Sequence, residues 1–364
     1  MPPVTPSSGP VAVTGASGYV GAHIVLALLQ RGYTVRACIT DPENPEKTAH
    51  LLAMNEQGHP GSVALYRANL LEEGSYDEPL AGCSAIVHAG TAMGYGGANN
   101  PQEVYDGAVS GTDNVLRSVA KAGTIQRFAY TSSFAAIMNP RPPGYRYTEA
   151  DWASDNREKD PSWSLENLND KGQTGYAMAK VETEHRVYAA ARESGRFEAI
   201  SINPIVVLGP LLGKAHDLVF SWQWFLGRML RGKACGHGWQ HLWNIVDVRD
   251  VAMAHVLAIE SSACTTGDRF QLSATDESGE LDCVQLQQKL LELFPAIDVG
   301  GAPDGYAEMI EKHGRVYDAP RARCDKARRV LGLRTHAVAD TLRDTGRSLI
   351  DLGLIEPRPR SEAR

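Results

Sequence analysis

The chain contains few cysteines, no long apolar run and no excess of basic residues. Its six cysteines are scattered through 364 residues with no C-x-x-C pair, which argues against a disulfide framework and a zinc site. No segment approaches the ~18 consecutive apolar residues that a membrane-spanning helix requires. The net charge of -7 argues against a nucleic-acid or anionic-membrane binder, because both need a basic surface. We therefore expect a cytoplasmic protein with a small-molecule substrate and no nucleic-acid, membrane or metal partner.

The remaining composition is that of a globular chain, with 43% hydrophobic and 22% charged residues. The length allows one large α/β unit plus a smaller lobe, because a single core stops growing near ~250–300 residues. Residues 1–9 lack the basic and apolar regions of a signal peptide, and residues 356–364 lack apolar periodicity. We expect both ends to be flexible tails.

Strand-like and helix-like segments alternate through the first 205 residues. The clearest strand-like segments are residues 11–14, 34–39, 85–89 and 127–132. Such alternation predicts an α/β fold with a doubly wound parallel sheet of the Rossmann type. We place the nucleotide-binding domain at residues 10–205, with residues 245–262 returning to it. The smaller substrate lobe is predicted at residues 206–244 and 263–350.

A glycine-rich turn follows the first predicted strand, in the pattern Thr14-Gly15-x-x-Gly18-x-x-Gly21. The first glycine permits a tight turn, the second lets the backbone approach a pyrophosphate, and the third lets helix and strand pack closely. The helix that follows presents its N-terminus to the anion. An ordinary glycine-rich turn is the alternative, but the position between a strand and an amphipathic helix favours a dinucleotide site.

A second motif, Tyr176-x-x-x-Lys180, places a phenol and an ammonium on one face of a predicted helix. A carbonyl reductase needs a proton donor beside the hydride acceptor, and a neighbouring cation eases formation of the phenolate. Thr131-Ser132-Ser133 ends another predicted strand, where ligand crevices form in parallel sheets. The alternatives are a chance surface pair and a helix-capping serine.

These three features occur in the order that short-chain dehydrogenases/reductases show. Over about residues 10–350 the chain resembles the extended class, in particular the group of dihydroflavonol reductases, cinnamoyl-CoA reductases and aldehyde/ketone reductases. The resemblance implies that Ser133 orients the substrate oxygen, that Tyr176 donates the proton, and that Lys180 also holds the nicotinamide ribose. It assigns the following residues to the cofactor: Thr14, Gly15, Ser17, Gly18, Tyr19, Val20, Gly21, Arg36, Lys47, Asn69, Leu70, Ala89, Thr91, Tyr176, Lys180, Pro204, Ile205 and Val206.

The choice between the two nicotinamide cofactors depends on the end of the second strand. An acid there would select NAD, and a basic residue would accommodate a 2′-phosphate. The acid's place is taken by Ile39 and the family's arginine is replaced by Thr40, which leaves Arg36 and Lys47 as possible partners of the phosphate. Asn69 stands where the family has an aspartate near the adenine, and its amide oxygen can accept the same hydrogen bond. We expect NADP(H), with NAD(H) as the alternative.

Two segments are candidates for the walls of the substrate pocket. They are the glycine-rich residues 94–100 and the tryptophan-rich residues 211–244. Tryptophans favour an aromatic or bulky apolar ligand, although packing between the lobes is an equal alternative. We expect NADPH-dependent reduction of an aromatic or bulky aldehyde or ketone. A homodimer is common for such folds, and the sequence leaves the oligomeric state open.

Two other functions remain open at this point. One is an alcohol or hydroxysteroid dehydrogenase, or a sugar-nucleotide epimerase, of the same extended class. The other is a regulator that senses the dinucleotide without chemistry, although such proteins typically lack the Tyr-x-x-x-Lys pair. His88 and His255 are predicted to be structural rather than catalytic, because each lies in an apolar segment.

Overall fold

The computed structural model of the protein describes residues 1–91, 100–142, 145–168, 174–236, 243–274, 280–313 and 323–360. In these residues seven strands form one parallel sheet in the order β3-β2-β1-β4-β5-β6-β9. Its strands are β1 Val11–Thr14, β2 Thr34–Ile39, β3 Ser62–Arg67, β4 Ala85–His88, β5 Arg127–Thr131, β6 Glu198–Pro204 and β9 Arg269–Leu272. The predicted doubly wound parallel sheet is confirmed.

Three further strands form a small sheet in the order β10-β8-β7. They are β7 Val206–Leu208, β8 Trp243–Asp247 and β10 Glu280–Leu281. The helices are α1 Tyr19–Gln30, α2 Pro45–Ala53, α3 Asp77–Leu80, α4 Pro101–Ala122, α5 Thr174–Ser194, α6 Trp222–Leu230, α7 Val248–Glu260, α8 Cys283–Leu293, α9 Tyr306–His313 and α10 Val338–Asp351. Among the described helices, none is both long and apolar enough to cross a bilayer.

Helices cover both faces of the large sheet. Val11 and Val13 of β1 pack with α1 and α7 in one cluster, whereas Ala12 belongs to a second cluster that includes α4 and α5. Every residue of β1 is buried, as expected for a strand that is covered on both sides. A further core surrounds Trp243 and is built from β7, β8, α6, α8 and α10.

The boundary of the predicted lobe needs one correction. Strand β9 pairs with β6 in the large sheet, although residues 263–350 were assigned to the smaller lobe. Because Arg269 and Gln271 are polar, the sequence of this segment does not resemble that of a buried strand. Both side chains are nevertheless buried and hydrogen-bonded. The division into two lobes otherwise stays a prediction.

The predicted flexible tails are also wrong within the described residues. Val4 is fully buried, its amide donates to the carbonyl of Ile259, and its own carbonyl accepts from the Tyr33 hydroxyl. At the other end, Arg358 exchanges backbone hydrogen bonds with residues of the smaller core, and residues 361–364 lie outside the described residues. Tertiary contacts hold these segments in place, and such contacts cannot be predicted from local periodicity in the sequence.

Candidate active site

The glycine turn joins β1 to α1 and is shaped by two close backbone approaches. Gly15 has φ of +63°, and a Cβ on it would lie 2.6 Å from the Cα of Gly90. A Cβ on Gly21 would lie 2.1 Å from the carbonyl oxygen of Gly15. Both distances are shorter than any real contact, so these two positions require glycine. The turn therefore has the shape that its spacing predicted.

The N-terminus of α1 is left open for an anion. Gly18 is its N-cap residue and provides no side chain to bind the first amides of the helix. The amides of Tyr19 and Val20 are therefore available to a ligand, and Ser17 beside them is partly exposed. An anion at this point is favoured by the amides and by the helix dipole. These residues fit the pyrophosphate of a dinucleotide.

Hydrogen bonds of Thr14, the residue before the turn, hold the turn against the end of β4. The Thr14 hydroxyl accepts from the Gly90 amide at 2.9 Å and lies 2.7 Å from Nδ1 of His88. The other ring nitrogen of His88 lies 3.4 Å from the Thr112 hydroxyl. Burial, together with the charge of Lys180, lowers the pKa of His88 to about 3, so the ring is neutral. His88 has the structural role that its apolar segment predicted.

His255 lies on α7 and contacts the end of the neighbouring strand β5 in a similar way. Its Nε2 lies 2.7 Å from the Thr131 hydroxyl, and its Nδ1 lies 2.7 Å from the carbonyl oxygen of Val251. Burial lowers its pKa to about 4. Both ring nitrogens are occupied, so His255 supports the end of β5.

Lys180 is buried at the centre of the site. Its ammonium donates to the Thr131 carbonyl at 2.9 Å, to the Thr91 hydroxyl at 3.1 Å and to the Tyr130 hydroxyl at 3.3 Å. Burial lowers its pKa to about 8, with the Glu184 carboxylate acting in the opposite direction. The group thus changes charge close to neutral pH.

One predicted catalytic residue, Tyr176, lies near this ammonium, and another, Ser133, follows the strand end that the ammonium binds. Nζ of Lys180 lies 5.8 Å from the centre of the Tyr176 ring, one helical turn away on α5. Ser133 follows Thr131, which Lys180 binds, by two residues and is partly exposed. The Ser133 hydroxyl accepts from the Ala135 amide at 3.1 Å, so it is the cap of a short 3₁₀ turn as well as a candidate for catalysis.

Other residues assigned to the cofactor surround the turn. Leu70 packs against both Gly90 and Gly111, and Asn69 lies beside it with its amide oxygen accepting from the Leu71 amide at 3.0 Å. That oxygen can accept a second hydrogen bond. Ala89 and Thr91 follow β4, next to the turn, whereas Pro204, Ile205 and Val206 join β6 to β7.

Some of the assigned side chains point elsewhere. The Tyr19 hydroxyl donates to the Gly209 carbonyl at 3.0 Å, and the Val20 side chain packs in the core. Arg36 lies in the middle of β2, where its Nη1 donates to the carbonyls of Pro79 and Ala81 at the end of α3. The structure thus contradicts Arg36 as a partner of the 2′-phosphate. Lys47 is exposed in the first half of α2 and stays a prediction.

The predicted substrate walls are described only in part. Residues 92–99 and Trp239 lie outside the described residues. Trp243 is 1% exposed and packs edge-to-face on Trp222 at 5.1 Å between ring centres, so it serves core packing. Trp222 and Trp224 are half-buried, and Phe220 beside them is exposed. Sequence reasoning could not separate core tryptophans from those near the surface.

Sequence reasoning also missed a buried carboxylate next to the site. Glu184 is fully buried and forms an ion pair with Arg269, whose Nε lies 2.7 Å from its Oε2. The Asn203 amide donates to the same carboxylate at 2.8 Å. The spacing of Tyr176, Lys180 and Glu184 was a possible signal, because residues four and eight apart share one helix face.

The parallel sheet, the open helix end and the buried lysine define a dinucleotide-dependent oxidoreductase. Residues 11–272 match the model of the NAD dependent epimerase/dehydratase family. The chain is 34% identical to cinnamoyl-CoA reductase CAD2 of Medicago truncatula over 70% of this chain and 73% of that protein. It therefore belongs to the NAD dependent epimerase/dehydratase family, which lies in the extended short-chain dehydrogenase/reductase class.

The chain is also similar to a second relative and to a solved structure. It is 35% identical to dihydroflavonol 4-reductase of Hordeum vulgare over 57% of this chain and 55% of that protein, so this alignment spans about half of the relative. The fold resembles that of Gre2 from Candida albicans, solved in complex with NADPH, with a TM-score of 0.75 and 21% identity. That match covers 94% of this chain and 99% of the Gre2 chain. The predicted resemblance to the reductases of the extended class is confirmed.

Proposed function

We propose that the protein reduces an aromatic or bulky aldehyde or ketone to the alcohol with NADPH as the reductant. The observation that carries this proposal is the Lys180 ammonium, buried beside Tyr176 and bound to the strand end that leads to Ser133. The names of the relatives, a cinnamoyl-CoA reductase and a dihydroflavonol 4-reductase, support a carbonyl substrate with an aromatic portion.

The bound cofactor would supply a hydride to the carbonyl carbon, and the chain's residues supply the rest. Tyr176 donates its phenolic proton to the developing alkoxide oxygen, and Ser133 donates a hydrogen bond that orients the same oxygen. The positive charge of Lys180 stabilises the phenolate that Tyr176 leaves behind. Because the ammonium is shielded from water, its effect on the phenol is stronger than it would be at the surface.

The amides at the start of α1 would hold the pyrophosphate, and Lys47 is the remaining candidate for the 2′-phosphate. One of the three acceptors of the Lys180 ammonium is the Thr91 hydroxyl, which is partly exposed, and a nicotinamide ribose hydroxyl would take the place of this acceptor. NADPH is favoured over NADH because no acid stands at the end of β2, where it would repel a phosphate.

The proposal is tested by following the oxidation of NADPH and NADH spectrophotometrically with a panel of carbonyl compounds. We expect oxidation of NADPH with aromatic aldehydes, diketones or flavanonols, and a lower kcat/KM with NADH. The reverse panel, alcohols with NADP⁺, tests the oxidative alternative. Oxidation of neither cofactor with any carbonyl, in enzyme that binds NADPH, would contradict the proposed activity. A higher kcat/KM with NADH would contradict the cofactor alone.

A further inference from the structure

The end of β5 is held from below by side chains that do not face the substrate. Thr131, Ser132 and Ser133 form this strand end, and each has a buried partner. The Thr131 carbonyl accepts from Lys180 at 2.9 Å, and the Ser133 carbonyl accepts from the Asn203 amide at 3.2 Å. The Ser132 hydroxyl donates to Oε1 of Glu184 in a short hydrogen bond. Ser132 and Asn203 both donate to the Glu184 carboxylate.

Glu184 is the centre of this arrangement. Its Oε1 also accepts from Asn203 at 2.8 Å, and its Oε2 accepts from Arg269 at 2.7 Å and from the Tyr188 hydroxyl at 3.1 Å. The carboxylate is 0% exposed, so water does not compete for these bonds. A buried, fully hydrogen-bonded charge fixes its neighbours in one geometry. Asn203 bridges the carboxylate directly to the backbone of the candidate catalytic serine.

Glu184 also lies one helical turn beyond Lys180 on α5, as Lys180 lies one turn beyond Tyr176. An anion in low-dielectric surroundings stabilises a nearby ammonium, which opposes the desolvation that Lys180 suffers. The single carboxylate therefore acts on two parts of the site, on one through hydrogen bonds and on the other through its charge. It holds the strand end of Ser133, and it supports the positive charge of Lys180.

We propose that Glu184 is a positioning residue of the reductase site, which fixes the Thr131–Ser133 strand end and places a negative charge one helical turn from Lys180. This inference rests on the proposed function for its kinetic test. Glu184 touches neither the substrate nor the reacting atoms, and acts through Ser132, Asn203 and Lys180.

The pH dependence can be assigned because few of the described residues around Lys180 and Glu184 titrate near neutral pH. The groups that face Lys180 and Glu184 are His88 on β4, Tyr130 on β5, Tyr188 and Tyr176 on α5, and Arg269 on β9. Burial keeps the pKa of His88 near 3, and burial raises the pKa of Tyr130 and Tyr188 above their usual range. The guanidinium of Arg269 stays charged. A limb between pH 7 and 9 therefore reports the Lys180 ammonium.

The test compares Glu184→Gln with Glu184→Asp and with Glu182→Gln. Glutamine retains an acceptor for Ser132 but removes the charge, aspartate retains the charge, and Glu182 is a partly exposed partner of Arg186 on the same helix. We expect the alkaline limb of kcat to move to lower pH by about one unit in Glu184→Gln, because the ammonium loses its anion. We expect the limb to stay in place in Glu184→Asp and in Glu182→Gln.

A merely structural role predicts a different result. Lower thermal stability with kcat reduced equally at every pH, and an unmoved limb, would overturn the proposal. The same shift should be seen in the pH dependence of NADPH binding, followed by the cofactor's fluorescence, since Lys180 is the proposed ribose partner. This readout requires no turnover, so it separates a failure of Glu184 from a failure of the proposed reductase activity.

Ser132→Ala keeps the inference testable if Glu184→Gln does not fold. This variant removes only the hydroxyl that binds Glu184 and leaves the charge in place. We expect kcat to fall by about tenfold with KM for NADPH within twofold, because the strand end loses one constraint. The alkaline limb should not move. A wild-type kcat in Ser132→Ala would overturn the positioning role.

Discussion

The ammonium of Lys180 donates a hydrogen bond of 2.9 Å to the main-chain carbonyl of Thr131, two residues before Ser133. This bond joins the middle of α5 to the carboxyl end of β5. Because Tyr176 lies one turn earlier on α5, the same bond sets the position of the phenol relative to the serine. The helix and the strand end are thus oriented by one buried cation, which is 3% exposed.

The titration of this cation should be visible in the kinetics. Burial lowers the pKa of Lys180 to about 8, so we expect kcat for carbonyl reduction to be flat below pH 7 and to fall above pH 8. The charged form is the active one, because it stabilises the phenolate. A pH–rate profile from pH 6 to 10 checks this. In Lys180→Arg the limb should move to higher pH, and a profile that is flat to pH 10 in the wild type would contradict the assignment.

Removal of the phenolic proton donor should abolish turnover. In Tyr176→Phe we expect kcat to fall at least ~10³-fold, because general acid catalysis and the phenolate are both lost. NADPH binding should remain within a few fold. The matched control is Tyr66→Phe, on β3 at the edge of the sheet, which should keep wild-type kcat. Activity retained in Tyr176→Phe would remove this residue from the mechanism.

Gly15 of the glycine turn can be compared with Gly58, a glycine elsewhere in the chain with a similar φ angle. Gly15 and Gly58 both have positive φ, of +63° and +72°, but only Gly15 is crowded, by the Cα of Gly90. We expect Gly58→Ala to lower the free energy of unfolding by about 1 kcal/mol through strain alone. Gly15→Ala adds a clash and should weaken NADPH binding at least ~10-fold. Chemical denaturation and fluorescence titration measure the two effects, and equal effects in both variants would contradict the crowding at Gly15.

Local patterns predicted the parts of the site that one segment determines. The glycine turn, the Tyr176 to Lys180 spacing and the strand before Ser133 each depend on neighbouring residues, and the structure places all three as expected. Glu184 and Arg269 were missed because their meaning depends on an ion pair that joins α5 to β9 across 85 positions of the chain. For the same reason the order of residues 1–9 was missed, since the hydrogen bonds of Val4 are to the distant Tyr33 and to Ile259 of α7.

The two basic residues that the sequence suggested as partners of the 2′-phosphate should differ in their effect on cofactor choice. Arg36 uses its guanidinium at the end of α3, whereas Lys47 is exposed on α2 with no ion pair among the described residues. We expect Lys47→Glu to raise the Kd for NADPH by about tenfold or more and to change the Kd for NADH little. Arg36→Gln should lower the melting temperature and leave the ratio of the two Kd values unchanged. Equal effects of Lys47→Glu on both cofactors would exclude Lys47 as the phosphate partner.

A histidine pair behind the glycine turn should make the fold sensitive to acid. Nε2 of His216 lies 3.2 Å from the Ser17 carbonyl, and Nε2 of His23 lies 2.9 Å from the Pro210 carbonyl, so both rings tie the turn to the segment after β7. Burial lowers the pKa of His23 to about 4 and that of His216 to about 3.

Below pH 6.5 the unfolded chain binds protons at these histidines and the folded chain does not, so the free energy of unfolding decreases as the pH falls from about 6.5 to 4. The loss for the pair is on the order of a few kcal/mol, and the buried His88 and His255 add to it in the same direction. In His216→Gln we expect a shallower decrease, measured by urea unfolding at several pH values. The control His59→Gln, between α2 and β3, should retain the wild-type slope, and a wild-type slope in His216→Gln would show that the folded and unfolded chains bind protons at this ring equally.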